Sequence, residues 1–416
     1  MKILIRKLEE IADVIAGQSP PSVTYNEKGD GLPFFQGKTD FGEKHPTIRI
    51  WCSEPKKIAL PNDILISVRA PVGPVNIANK KSCIGRGLSA IRTKEGNSID
   101  FLFYFLKSNE RLIAKNASGS TFSAITQKDL KELKIPIPEK LKDQIHIANV
   151  LSRAETLITK RKESIQLLDE LLKSTFLDMF GDPVRNEKGW EKKATISYAD
   201  CIVPGRDKPK SFTGDIPWVT TDDLEHLSTT IKSKKDIGLL RDEIKQVKAR
   251  LIPKDSVLMT CVGDLGVISL AGQDMVVNQQ LHSFQCKEDI NNKFLMFALS
   301  YQKKYMYRKA SKTTVPYMNK TICNSIPVIK PPLELQNKFA QIVEKVEKIK
   351  TKYQEGLQEL ENLYASLSQK AFSSAGNLLK AGKGELDLSK MEIEQERLDI
   401  AAEEGVGYGK KSHLKK

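Results

Sequence analysis

The stretch IANVLSRAETLITKRKESIQLLDELLKSTFLDM, residues 147–179, decides how this chain is read. Ile147, Leu151, Ala154, Ile158, Arg161, Ile165, Leu168, Leu172, Thr175 and Met179 follow one another at alternating steps of four and three. Those are the a and d positions of a heptad seam, interrupted only by Arg161 and Thr175. The same spacing returns 192 residues later at Phe339, Val343, Val346, Lys350, Tyr353, Leu357, Leu360, Tyr364, Leu367 and Ala371, where only Lys350 is charged. Two matching seams in one chain most simply pack on each other. A globular stretch lies between them, which favours antiparallel pairing; the alternative is that each helix packs on its own domain. At 1.5 Å per residue, a helix of about 40 residues spans about 55–60 Å.

The repeat extends outward from the helices. Residues from 8 to 180 recur, diverged, from 195 to 372. Ala12-Asp13-Val14-Ile15 matches Ala199-Asp200-Cys201-Ile202, and Leu32-Pro33-Phe34 matches Ile216-Pro217-Trp218. Leu60-Pro61-Asn62-Asp63 is set against Ile252-Pro253-Lys254-Asp255, Phe101-Leu102 against Phe294-Leu295, and Ile135-Pro136-Ile137 against Ile326-Pro327-Val328. Several weak matches in one order mark a duplication. Runs such as Ile64 to Val68 and Val257 to Thr260 predict strands, and Phe101 to Leu106 and Phe294 to Leu299 predict helices. Pro136, Pro138, Pro331 and Pro332 precede the long helices, and Gly181-Asp182-Pro183 stops the first.

The expected fold class is therefore α/β (α+β): two tandem mixed α/β domains, two long antiparallel coiled-coil helices and an internal pseudo-two-fold repeat. The expected partition is 1–140 and 182–333 for the domains, 141–181 and 334–373 for the helices, and 374–416 for a tail that is helical in part.

Lys and Arg outnumber Asp and Glu by 66 to 52, a net charge of +14 that suits a polyanionic partner. Cys52, Cys83, Cys201, Cys261, Cys286 and Cys323 form no CxxC pair, so neither a clustered zinc site nor a secreted disulfide framework is expected. Reduced thiols in a cytoplasm are the expectation. The N-terminus MKILIRKLEE lacks the apolar core of a signal peptide, and no apolar run is long enough to cross a bilayer.

No catalytic motif is legible. Gly37-Lys38-Thr39 resembles the end of a phosphate loop, but Gly31 stands one residue too far upstream and Leu32-Pro33 interrupts the turn. Gly405, Gly407 and Gly409 follow no strand. His45, His146, His226, His282 and His413 have no metal-ligand spacing. The Pro-Pro pairs at 20–21 and 331–332 lack the flanking residues of an adenine-methylating motif.

A duplicated α/β domain followed each time by an Ile-Pro entry and a heptad helix resembles the specificity subunit of type I restriction–modification systems. The residues that carry the resemblance are Ile135-Pro136-Ile137-Pro138 with Gln144, Ile326-Pro327-Val328 with Pro331-Pro332 and Gln336, and Lys188-Gly189-Trp190. The first copy lacks the tryptophan. The resemblance implies a non-catalytic subunit whose two domains each read one half of a split double-stranded DNA site. It implies helices that set the spacer and dock methyltransferase subunits, two of them. S-adenosylmethionine and ATP are then expected only on the methyltransferase and restriction motor partners, with no cofactor on this chain. The alternatives are a coiled-coil adaptor that binds proteins and not DNA, and an enzyme whose site has no recognised motif.

Base reading calls for amides, guanidinium groups and small hydroxyls on loops. The first domain offers Gln36, Lys38, Thr39, Arg69, Arg86, Ser118, Ser120 and Thr121. The second offers Thr220 and Thr221 beside Asp222, then Asn278, Gln279 and Gln280, then Lys312, Thr313, Thr314, Tyr317 and Asn319, with Arg206, Lys208 and Lys210 suited to phosphate.

Overall fold

The heptad stretches form two helices of 40 residues each, Leu141–Phe180 and Leu333–Phe372, in a computed structural model that describes residues 1–115, 124–205, 209 and 211–372. Two compact units divide the chain: Met1–Lys162 with the described part of Glu355–Lys416, and Glu163–Gln354. Each unit therefore takes in a length of both helices, whereas the partition from sequence sets the helices apart from the domains. Their apolar stripes are part of the cores.

In the first unit, Ile147, Leu151 and Ala154 share a buried cluster with Leu360, Leu367, Ala371 and Phe372 and with the helix Ile99–Ser108. Phe372 meets Phe101 and Phe105 edge-on, ring centroids 5.6 and 5.7 Å apart. In the second unit, Leu172, Phe176 and Phe180 are buried with Phe339, Val343 and Val346 against the helix Asn292–Ser300. Within either unit, partners on one helix run down in number as those on the other run up. Lys162 meets Glu361 and Glu155 faces Tyr364 in the first unit; Asp169 meets Lys350 and Phe176 meets Phe339 in the second.

The seam departs from strict heptads at one end. Phe176 and Phe180 are fully buried, while Thr175 and Met179 are only partly so. Steps of four from Leu172 run ahead of the helix's own 3.6-residue turn, so the buried stripe rotates around the helix, onto Phe294 and Phe297.

The first helix ends through local chemistry. Gly181 takes φ +75°, where a side chain would be strained, and its N–H bonds back to Leu177 O at 2.7 Å. Lys188 Nζ donates to the carbonyls of Asp178 and Met179, and Trp190 Nε1 to that of Phe180, so orphaned carbonyls of the last turn are satisfied.

The sheets follow one plan in both units. In the first, Ala12–Ala16, Leu88–Thr93, Ile64–Ser67 and Val75–Ile77 lie side by side, all antiparallel. Leu32–Phe35 runs parallel to Ser82–Ile84, which pairs antiparallel with Ile58–Ala59. In the second, Ala199–Ile202, Leu281–Cys286, Val257–Thr260 and Ile268–Ala271 repeat the first order, with Ser228–Thr230 added at the edge. Ile216–Val219 runs parallel to Met275–Val277, itself antiparallel to Leu251–Ile252. A short pair, Ile3–Lys7 with Lys134–Pro138 and Glu191–Ala194 with Pro327–Lys330, closes each plan.

Register corrects one sequence match. Asn62 and Asp255 both turn at positive φ, 72° and 66°, and their N–H groups bond the carbonyls of Ala78 and Ala271. Asn62 thus corresponds to Asp255, and Leu60-Pro61 falls on Pro253-Lys254 rather than on Ile252-Pro253. The two prolines coincide in sequence but not in space. With that register, the ion pair of buried Asp63 with Arg92 (2.8 Å and 3.0 Å) becomes Ser256 with Gln285 (3.1 Å) in the second unit.

Two buried glutamines tie the plan together. Gln144 Oε1 accepts from Ser98 N–H at 2.8 Å and its Nε2 donates to Pro138 O at 2.9 Å. Gln336 does the same with Asn291 N–H and Pro331 O, both at 2.8 Å. Each joins the start of a long helix to the cap of the apolar helix and to the end of a strand.

Candidate nucleic-acid interface

In the second unit, backbone hydrogen bonds draw the polar loops to one set of strand ends. The parallel strands end side by side, where Asn278 N–H donates to Val219 O at 2.9 Å, which sets Thr220, Thr221 and Asp222 beside Asn278, Gln279 and Gln280. Gln280 O accepts from Cys261 N–H at 2.9 Å, and Cys261 O from Met318 N–H at 2.8 Å. Gly263 N–H donates to Pro316 O at 2.9 Å, and Gln279 Nε2 to Gly205 O at 3.3 Å. Gln279, Gln280, Lys312, Thr313, Thr314 and Tyr317 are all exposed on these loops.

The loops are held from below. Asp223 is buried and accepts from Thr220 N–H and Oγ1 and from Lys234 N–H, at 2.7–2.9 Å. Burial works to raise the pKa of its carboxyl, but the donated bonds prevail and hold it below the usual carboxylate range. Asn278 folds back on Gln280, accepting its N–H and donating to its Oε1, both at 3.1 Å. Asn319 is an N-cap: its side chain accepts from Ile322 N–H at 2.9 Å. Its oxygen is thus committed to the helix Lys320–Asn324.

The first unit has the same bonds at corresponding places. Gly85 N–H donates to Phe35 O (2.8 Å), Val68 N–H to Gly87 O (2.9 Å) and Ile125 N–H to Val68 O (3.1 Å). Gln36 follows Phe35, and Arg86 stands between the two glycines; Gln36, Lys38, Thr39, Arg69 and Arg86 are exposed. A Cβ at Gly87 would collide with the Gln36 carbonyl, so the close approach of these loops requires glycine there. Asp40 anchors this loop as Asp223 does the other, accepting from Gln36 N–H at 2.6 Å and pairing with Arg49.

Two residues that the sequence reading passed over also belong here. Gln18 N–H bonds Ile84 O at 3.0 Å, and Ser19 Oγ accepts from Arg86 N–H at 3.2 Å. Gln18 takes the place that Gly205 holds in the other copy, and only the register of the preceding strands could have pointed to these two residues. Ser118, Ser120, Thr121, Arg206, Lys208, Lys210 and the tail from 374 onward lie outside the described residues.

Among the described residues, no three His, Cys, Asp or Glu side chains come together as a metal-binding group, and no helix is long and apolar enough to cross a membrane.

The family model described as the type I restriction modification DNA specificity domain matches this chain twice, over residues 3–168 and 203–362. A Methanocaldococcus jannaschii protein named for the MjaX type I restriction enzyme specificity subunit is 47% identical over 161 residues, 38% of either chain. The type I restriction enzyme MjaIX specificity subunit of the same organism is 25% identical over 378 residues, covering 82% of this chain and 85% of its own. The EcoDI specificity subunit of Escherichia coli is 21% identical over 421 residues, 92% and 91% of the two chains. In fold, the chain is similar to the type I restriction–modification S subunit of Mycoplasma genitalium, with TM-score 0.60 at 20% identity over 89% of this chain and 96% of that one. The double match, spanning most of both units, means that this chain belongs to the type I restriction–modification DNA specificity family.

Proposed function

We propose that the chain is the non-catalytic, cytoplasmic address of a type I restriction–modification complex, each unit reading one half of a split double-stranded DNA target. The observation that carries this reading is the shared scaffold with exchanged tips. The same backbone bonds converge the same loops in both units, yet Gln36 and Arg86 stand where Thr220 and Gln279 do. A constant frame with variable polar tips is what two readers of different sequences need.

In this reading the two long helices form an antiparallel coiled coil of a pseudo-two-fold repeat and fix the spacer between the half-sites. Their outer faces dock two methyltransferase subunits. S-adenosylmethionine and ATP act on the methyltransferase and restriction motor partners, not on this chain. Gel shifts with partner subunits on random-site DNA test it: selection of a two-part motif supports the reading, and protein association without DNA binding would favour the adaptor. Alanine at Gln279 and Gln280 should abolish discrimination at one half-site and leave the other intact.

A further inference from the structure

The helix Lys303–Lys309, KKYMYRK, carries four cations and no acid on seven residues. Lys303, Lys304, Arg308 and Lys309 are exposed, and Met306 between them is fully buried. Lys304 and Arg308 share one face at a spacing of four, where like charges disfavour the helix by about 0.2–0.5 kcal/mol. Only Lys303 is answered, by Asp264 at 2.8 Å. Among the described residues no acid pairs with Lys304, Arg308, Lys309, or with Lys312 on the adjoining loop.

The helix is firmly seated. Tyr307 Oη donates to Asp264 Oδ1 at 3.1 Å and accepts from Leu265 N–H at 3.3 Å, and Met306 packs where a Cβ on Gly266 would sit. The Arg308 guanidinium lies 5.5 Å from the Tyr305 ring centroid. The chain then passes directly into the loop of Thr313 and Tyr317, with Ala310 N–H bonded to Met306 O and Ser311 N–H to Tyr317 O.

The first unit places the helix Glu110–Lys115, ERLIAK, at the corresponding point, against Gly73 as the other lies against Gly266. It has two cations and one acid, and exposes Leu112. Glu110 stands where the second unit has Lys303.

We infer that the Lys303–Lys309 helix grips the DNA phosphate backbone beside the second unit's reading loops, so that the two units contribute unequally to salt-dependent binding. This rests on the reading of the chain as a DNA-binding subunit. A rigid, uncompensated cationic face contiguous with base-reading loops is the arrangement that fixes a reader on a duplex, through phosphate contacts that release counterions.

The test is the salt dependence of binding to a fluorescein-labelled random 30-base-pair duplex. The full chain is purified with the subunits that accompany it and titrated between ~50 and ~200 mM KCl. Replacing Lys304, Arg308 and Lys309 together by Gln should lower the slope of log K against log salt by roughly 2–3, at about 0.9 per phosphate contact. Replacing Arg111 and Lys115 by Gln should lower it by less than half as much. Arg308→Gln alone should lower it by about 0.9, which keeps the test open should the triple variant melt early. An unchanged slope in the Lys303–Lys309 variants, or an equal loss in the Arg111/Lys115 variant, overturns the inference. Failure of the wild-type preparation to bind DNA at any salt would instead overturn the function reading itself.

Discussion

The Lys350 ammonium lies 2.7 Å from the Asp169 carboxylate, and the two side chains are 18% and 45% exposed. Lys350 is the one charged residue in its seam, so its partner comes from the other helix rather than from solvent. The pair is asymmetric: Asp169 can be hydrated when left alone, whereas Lys350 is far less open to water and keeps only Glu347 of its own helix nearby. Asp169→Ala should therefore cost about 1–2 kcal/mol in thermal or urea unfolding. Lys350→Leu should be neutral or stabilising, because an apolar side chain completes the seam. Equal losses in the two variants would show that the pair, and not the buried cation, sets the cost.

Gln336 is fully buried and bonds the first residue of one loop and the last of another. Gln336→Ala leaves the Asn291 N–H and the Pro331 carbonyl without partners in a site closed to water. A loss of about 2–4 kcal/mol is expected, read as a lowered melting temperature. Gln336→Glu should retain the Asn291 bond and recover part of that loss. Gln144→Ala should act in the same way on the first unit, and the two losses should add if the units melt independently.

His282 is 3% exposed and donates its Nε2–H to Asn324 Oδ1 at 3.1 Å. Burial pushes its pKa down to about 4, overcoming the Asn324 bond, with Lys320 adding to the effect. The folded value lies below the ordinary one of about 6.5, so the unfolded chain binds the extra proton first. The stability this neutral imidazole contributes is present above about pH 6.5 and is lost as pH falls toward 4. Roughly 3 kcal/mol separates those limits. Against pH, unfolding of wild type and His282→Gln should diverge across that window and run parallel above it; parallel curves throughout would contradict the assignment.

What the sequence made legible was whatever is periodic or locally capped. The 4–3 spacing runs inside both long helices, and the flanking prolines with Gly181-Asp182-Pro183 mark ends that lie within a residue or so of the observed ones. What it hid depends on register. Leu60-Pro61 and Ile252-Pro253 align by identity, yet the left-handed turns at Asn62 and Asp255 shift the true match by one. Phe176 and Phe180 escaped because the buried stripe leaves the 4–3 spacing for successive steps of four, turning around the helix where it meets Phe294. Among the candidate interface residues, Gln18 and Ser19 were invisible because their places are set by a strand pairing. The charge reversal between Glu110 and Lys303 emerges only once the two short helices are superposed in topology.

The central claim, that paired helices set the distance between two DNA readers, is tested by removing one heptad from each helix. Deleting residues 158–164 and 353–359 takes out facing stretches around Arg161 and Gly356, whose would-be Cβ lies 2.8 Å from the guanidinium. Seven residues are about 10 Å of helix, close to two full turns, so each domain should return to nearly the same face. Methylome sequencing of strains carrying the wild-type chain, the shortened chain or neither should settle the matter. A split adenine-methylated motif should appear with the wild type, keep both half-sites but lose about two to three base pairs of spacer with the shortened chain, and vanish without it. An unchanged spacer with the shortened chain, or a motif that is continuous or independent of the chain, would contradict it.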